Sequence, residues 1–90
     1  MDITADVVVV SLAGHDKGGI FVVIALESGY AFIADGKLRK LEKPKRKKIK
    51  HLKAIGTMDK RMSQAATNRE LRYALRKFSV TDATVAEGGI

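Results

Sequence analysis

The sequence has no cysteine. Disulfides, thiolate nucleophiles and zinc ribbons are therefore excluded. It has one proline, Pro44, and its longest apolar run is the seven residues 20–26. A helix needs about 20 apolar residues to cross a bilayer. The opening Met-Asp-Ile-Thr-Ala-Asp places acids where a secretory signal carries a basic segment and then an apolar one. The expected location is cytoplasmic. Histidine is scarce too: His15 and His51 are the only two, and neither has a carboxylate at metal-ligand spacing. His15-Asp16 sits on a glycine turn and reads as a polar loop pair more readily than as an acid–base dyad. The sequence assigns no catalytic residue, no metal ligand and no cofactor, and the expectation is a protein that is not an enzyme.

Acids are missing where bases are most abundant. Residues 37–53, KLRKLEKPKRKKIKHLK, hold ten of the seventeen Lys and Arg residues and one acid, Glu42. That segment carries +9, and the other 73 residues carry seven bases and nine acids, or −2. The net charge of +7 thus lies in one place. Such a concentration concerns a polyanionic partner and says little about the fold.

Ninety residues suit one small domain, which buries roughly 60–65% of its unfolded surface. The expected order begins with a β-branched strand over residues 7–12, buried on both faces. Residues 13–19, with Gly14, Gly18 and Gly19, form a tight turn. A second strand at 20–26 leads through Glu27-Ser28-Gly29 to a third at 30–34, and Asp35-Gly36 ends it. Pro44 disfavours regular structure, so residues 37–48 read as a mobile arm pinned by Leu38 and Leu41. A fourth strand is expected at 49–53. Short strands with tight turns suggest a mainly β fold, a small barrel whose closure removes sticky edges. Met58, Met62 and Ala65 hint at a helical turn. Thr67-Asn-Arg-Glu70 is a capping box, and Leu71, Ala74, Leu75 and Phe78 mark one face of the helix it starts. The expected organisation is a barrel with its basic arm over 1–56, a helical extension over 57–78, and a fraying tail over 79–90.

The basic segment is too dense for an ordinary solvated face, with nine bases in residues 37–50. Membrane attachment would need an amphipathic helix or a lipid anchor, and the segment offers neither. Phosphate binding remains. Between 37 and 50, lysine outnumbers arginine by seven to two. Lysines act as point charges, whereas bidentate base reading favours arginine. No aromatic interleaves the run, so it should read backbone and shape, as on a folded RNA. The candidate RNA-binding residues are Lys37, Arg39, Lys40, Lys43, Lys45, Arg46, Lys47, Lys48, Lys50 and Lys53, with Arg69, Arg72 and Arg76 on the helix as a second contact. Lys17 and the amides of its loop could hold one more phosphate. Phe21, Tyr30, Phe32 and Phe78 read as core, with Tyr30 the candidate for stacking on a base.

Residues 8–23, VVVSLAGHDKGGIFVV, resemble the KOW motif, a strand, glycine-lysine-glycine loop, strand unit of large-subunit ribosomal proteins and of NusG-type elongation factors. The resemblance continues through Ala34-Asp-Gly-Lys-Leu-Arg-Lys40 to His51-Leu52. With Thr67-Asn-Arg-Glu-Leu-Arg-Tyr-Ala-Leu75, the chain looks like small bacterial KOW-domain RNA-binding proteins related to an archaeal and eukaryotic ribosomal protein family (eL14). This resemblance implies an SH3-like barrel that binds RNA, most naturally ribosomal RNA. Gly14 and Gly18 would shape the loop and Lys17 would meet phosphate. The alternative is a protein-interaction module of the translation or transcription machinery that binds an acidic partner protein.

Overall fold

A computed structural model describes residues 2–59 and 66–78. Five strands and one helix appear in the order β1 (Val7–Ser11), β2 (Ile20–Glu27), β3 (Tyr30–Ala34), β4 (Lys45–Lys48), a 3-10 turn (Ile49–His51), β5 (Leu52–Thr57) and α1 (Asn68–Leu75). The strands form one antiparallel sheet in the order β4-β3-β2-β1-β5. The fold is mainly β with a C-terminal helix.

Every residue of β1 is buried, and the pairing register explains how. Val9 stands opposite Phe21, and Val23 opposite Ile33; these four share one hydrophobic cluster. Val8 stands opposite Val22, and Val22 opposite Ala34; these three belong to a second cluster. Alternate side chains of a strand point to opposite faces, so the sheet has apolar residues on both. Helix α1 covers the second face with Leu71 and Leu75, helped by Ala74, Phe78 and Leu41. Ile3, Ile49 and Ala54 pack against the first. No helix covers that first face among the described residues, so its burial requires the sheet to curl over it. Register shifts at Val8/Val9 and at Val23/Ala25 supply local bends.

The helix is legible in its own residues. Thr67 accepts the Glu70 amide at 3.1 Å, and the Glu70 carboxylate accepts the Thr67 amide at 3.2 Å. Two otherwise unpaired donors at the helix start are thereby satisfied. Leu71 is fully buried, which contributes about 2–3 kcal/mol. Two glycines make room for this docking. A Cβ on Gly36 would overlap the Asn68 carbonyl, and one on Gly56 would meet the Phe78 ring. Helix α1 therefore packs on the sheet.

Five expectations need correction. The sheet is open: β4 and β5 are its two edges, joined in sequence by the 3-10 turn and not hydrogen-bonded to each other. The fourth strand is Lys45–Lys48; of the strand expected at 49–53, residues 49–51 form the 3-10 turn and Leu52 and Lys53 open β5. The alternation of β4 is between lysines facing different surroundings, which hydropathy does not register. Pro44 stands just before it, a place where a missing amide costs no ladder bond. A lysine-rich edge also resists pairing with other chains. Third, residues 37–44 are not a free arm, for the reasons given below. Fourth, Leu38 does not pin this segment: it is 75% exposed, and Leu41 alone reaches the core. Fifth, of the helical turn expected at Met58, Met62 and Ala65, Met58 is not helical: its amide donates to the Asp6 carbonyl and its side chain packs on the second cluster. Met62, Ala65 and the tail at 79–90 lie outside the described residues.

Candidate nucleic-acid interface

The turn between β1 and β2 is built inward. Gly14 and Gly18 take positive φ, at +83° and +88°. The amides of Lys17, Gly18 and Gly19 donate to the carbonyls of Gly14, Ser11 and Asp16. Those three amides are used within the turn and are not offered to a phosphate, and Lys17 is exposed beside them.

Asp16 faces the protein. Its Oδ1 lies 3.0 Å from Ser11 Oγ and accepts a hydrogen bond from Lys47 Nζ at 2.5 Å. Lys47 Nζ also donates to the Ala13 carbonyl at 2.5 Å. Lys45 Nζ lies 3.3 Å from Asp16 Oδ2. Burial pushes the Asp16 carboxyl up, but hydrogen bonds from Lys47 and Ser11 and the nearby Lys45 ammonium outweigh it and hold the group well below the usual carboxylate range. The Lys47 side chain is only 8% exposed. Lys47 is therefore an internal ion-pair partner and not a surface charge, and Lys45 is partly drawn in beside it. Both were expected to face RNA. Sequence gave no sign of this, because Asp16 is 31 residues from Lys47.

The opposite side of β4 faces out. Arg46 donates to Glu27 at 2.8 Å, and its guanidinium lies 3.6 Å from the centre of the Tyr30 ring. Tyr30 thus has one face covered by the protein's own arginine. Lys48 and Lys50 are exposed and, with Tyr30 and Ile49, surround a shallow depression at Gly29. Lys53 lies on β5, the other edge strand.

Residues 35–43 form a fixed turn. Asp35 Oδ1 accepts the amides of Lys37 and Arg39, at 2.9 and 2.8 Å. The Arg39 carbonyl in turn accepts the amides of Asp35 and Gly36. Farther on, Asn68 Oδ1 accepts the Leu41 amide at 2.7 Å, and Asn68 Nδ2 donates to Glu42 at 2.5 Å. The first residue of α1 thus clamps the basic turn. Glu42, the one acid of the basic segment, faces the positive end of the helix. Lys37, Lys40 and Lys43 remain exposed and Arg39 half-buried.

Between this turn and α1 lies an open groove. Lys40 lines it together with Arg69, Arg72 and Arg76, and Gly36, Asn68, Glu70 and Tyr73 complete it. The acid among these, Glu70, is engaged in the helix cap through Oε1. Tyr73 is 73% exposed, and the Arg76 guanidinium lies 5.6 Å from its ring centre. The reading of the basic segment alone missed this tyrosine because it stands 20 residues beyond it. The signal was present in the helix: Tyr73 is four residues after Arg69 and three before Arg76, so all three share a face.

The chain matches no protein-family model and no curated protein sequence. No helix among the described residues is long and apolar enough to cross a membrane. Among those residues there is also no group of three or more His, Asp or Glu side chains placed to hold a metal ion.

Proposed function

We propose that this chain is a non-enzymatic RNA-binding protein, acting in the cytoplasm on structured ribosomal RNA, with a curled sheet of the SH3-like, KOW type. The observation that carries this reading is the convergence of Lys40, Arg69, Arg72 and Arg76 on one groove whose acid is already engaged. Bases from two distant segments share one concave surface, where their fields add. Lys37, Lys43, Lys48 and Lys50, all exposed, extend the positive charge along the neighbouring turn and strand. The resemblance of residues 8–23 to the KOW motif supports the same reading. The clamped turn supports it too, since a preordered charge array loses less entropy on binding.

Sedimentation of a gently lysed extract, with and without ribonuclease, tests the proposal. The protein should travel with large ribosomal subunits and be released by digestion. With purified RNA, about six phosphate contacts give a slope of about −4 to −5 in log K against log salt. A slope near zero, or co-sedimentation that survives digestion, would reject the reading in favour of a protein partner.

A further inference from the structure

The groove beside α1 has a property that phosphate binding alone does not require. Its bases surround an aromatic ring that the core does not use. Tyr73 is 73% exposed, whereas Leu71 and Leu75 on the other face of the same helix are buried. Arg69 and Arg76 lie one turn to either side of it, and Arg72 arches over Gly36, where any Cβ would crowd its stem. Arginine predominates here, by three to one over lysine, the reverse of the segment 37–50. A guanidinium binds phosphate with a planar fork and also stacks on flat rings.

We infer that this groove binds an unpaired nucleotide, with the base stacked on Tyr73 and its flanking phosphates held by Arg69, Arg72, Arg76 and Lys40. The inference rests on the RNA-binding reading and adds a second mode to it. The lysine-rich turn meets RNA backbone regardless of pairing, and the groove selects a place where a base is free to leave its stack. Paired bases inside an A-form helix keep both faces against their neighbours, so an exposed tyrosine gains nothing from the interior of a duplex. An unstacked base offers a π-face whatever its identity, so the preference is for unpaired structure over sequence. Tyr30 is the less accessible ring: it is half-buried and Arg46 lies 3.6 Å from its centre, against 5.6 Å for Arg76 over the exposed Tyr73.

The test uses the full chain, with a short oligoadenylate and a blunt RNA duplex of matched charge as probes. Tyr73→Ala should weaken oligoadenylate binding about 5- to 150-fold, the range for losing one stacked base. It should leave duplex affinity unchanged, and Tyr73→Phe should keep both affinities. Tyr73 is outside the core, so circular dichroism of Tyr73→Ala should match the parent. In a Tyr30→Phe background, the emission of the remaining tyrosine should be quenched by oligoadenylate and not by duplex. Equal loss on both probes, or no loss on either, would overturn the inference while leaving salt-dependent RNA binding intact. Failure of the parent chain to bind either probe would overturn the underlying reading as well. Poly-glutamate binding with the same Tyr73 dependence would overturn the nucleotide assignment in favour of an acidic protein.

Discussion

Lys47 Nζ and Asp16 Oδ1 stand 2.5 Å apart, with both side chains only 8% exposed. The pair ties the edge strand β4 to the glycine turn between β1 and β2. A lysine from the most basic part of the chain thereby serves the fold. Gly14 stands close by: a methyl there would come 3.2 Å from Nζ, a tight contact with the lysine's flexible end.

Asp16→Asn should destabilise the protein by about 3 kcal/mol or more, because it leaves the Lys47 charge buried without a counter-charge. Urea denaturation followed by circular dichroism measures this. A loss below about 0.5 kcal/mol would mean that Lys47 swings out to water at no cost.

The same carboxylate sets the acid limb of stability. Its folded pKa is lowered, while the unfolded value is about 3.9. The stabilisation is therefore complete above that unfolded value and drains as pH falls through the window below it. Melting temperature should be flat between about pH 5 and 7 as far as this group is concerned. It should fall below about pH 4. In Asp16→Asn that part of the acid decline should be absent.

Two sets of four substitutions separate structural lysines from surface ones. Changing Lys45, Arg46, Lys47 and Lys48 to Ser should lower the melting temperature, since it removes both lysine partners of Asp16 and leaves Ser11. Changing Lys37, Lys40, Lys43 and Lys50 to Ser should leave melting nearly unchanged. The second set should also flatten the salt dependence of RNA binding, by about 0.7–0.9 in slope for each phosphate contact removed. Equal melting losses in both sets would contradict the burial described for β4.

Gly36→Ala should also destabilise, by about 1–2 kcal/mol from its φ of +79° alone, and further from overlap with the Asn68 carbonyl. Leu71→Ala should cost about 2–5 kcal/mol through the cavity left over Val8 and Val22. Differential scanning calorimetry reads both. If the helix were dispensable to the sheet, neither change would move the transition.

What could be read in the sequence was whatever short stretches decide by themselves. β1 and β3 follow from β-branched and aromatic runs, and the start of α1 follows from Thr67 and Glu70. Leu71 and Leu75 fell on the buried face because helical spacing is a local property. β4 was hidden because its buried residue is a lysine, made tolerable by an aspartate far away in the chain. The groove was hidden for a related reason. Lys40 and Tyr73 become neighbours only when Gly36 admits the helix, and no window along the chain contains both. Among the proposed contacts, exposure of Lys37, Lys40, Lys43, Lys48 and Lys50 accords with a charge-based reading, whereas Lys47 departs from it.

The clamp made by Asn68 has a consequence for exchange with solvent. The Leu41 amide, in a loop by sequence, donates to a side chain of the helix. It can exchange its hydrogen only when that bond opens, so its protection reports the seating of α1 on the sheet. Anything that binds turn and helix together slows that opening. One amide resonance in the basic segment therefore registers occupancy of the groove without any label on the ligand.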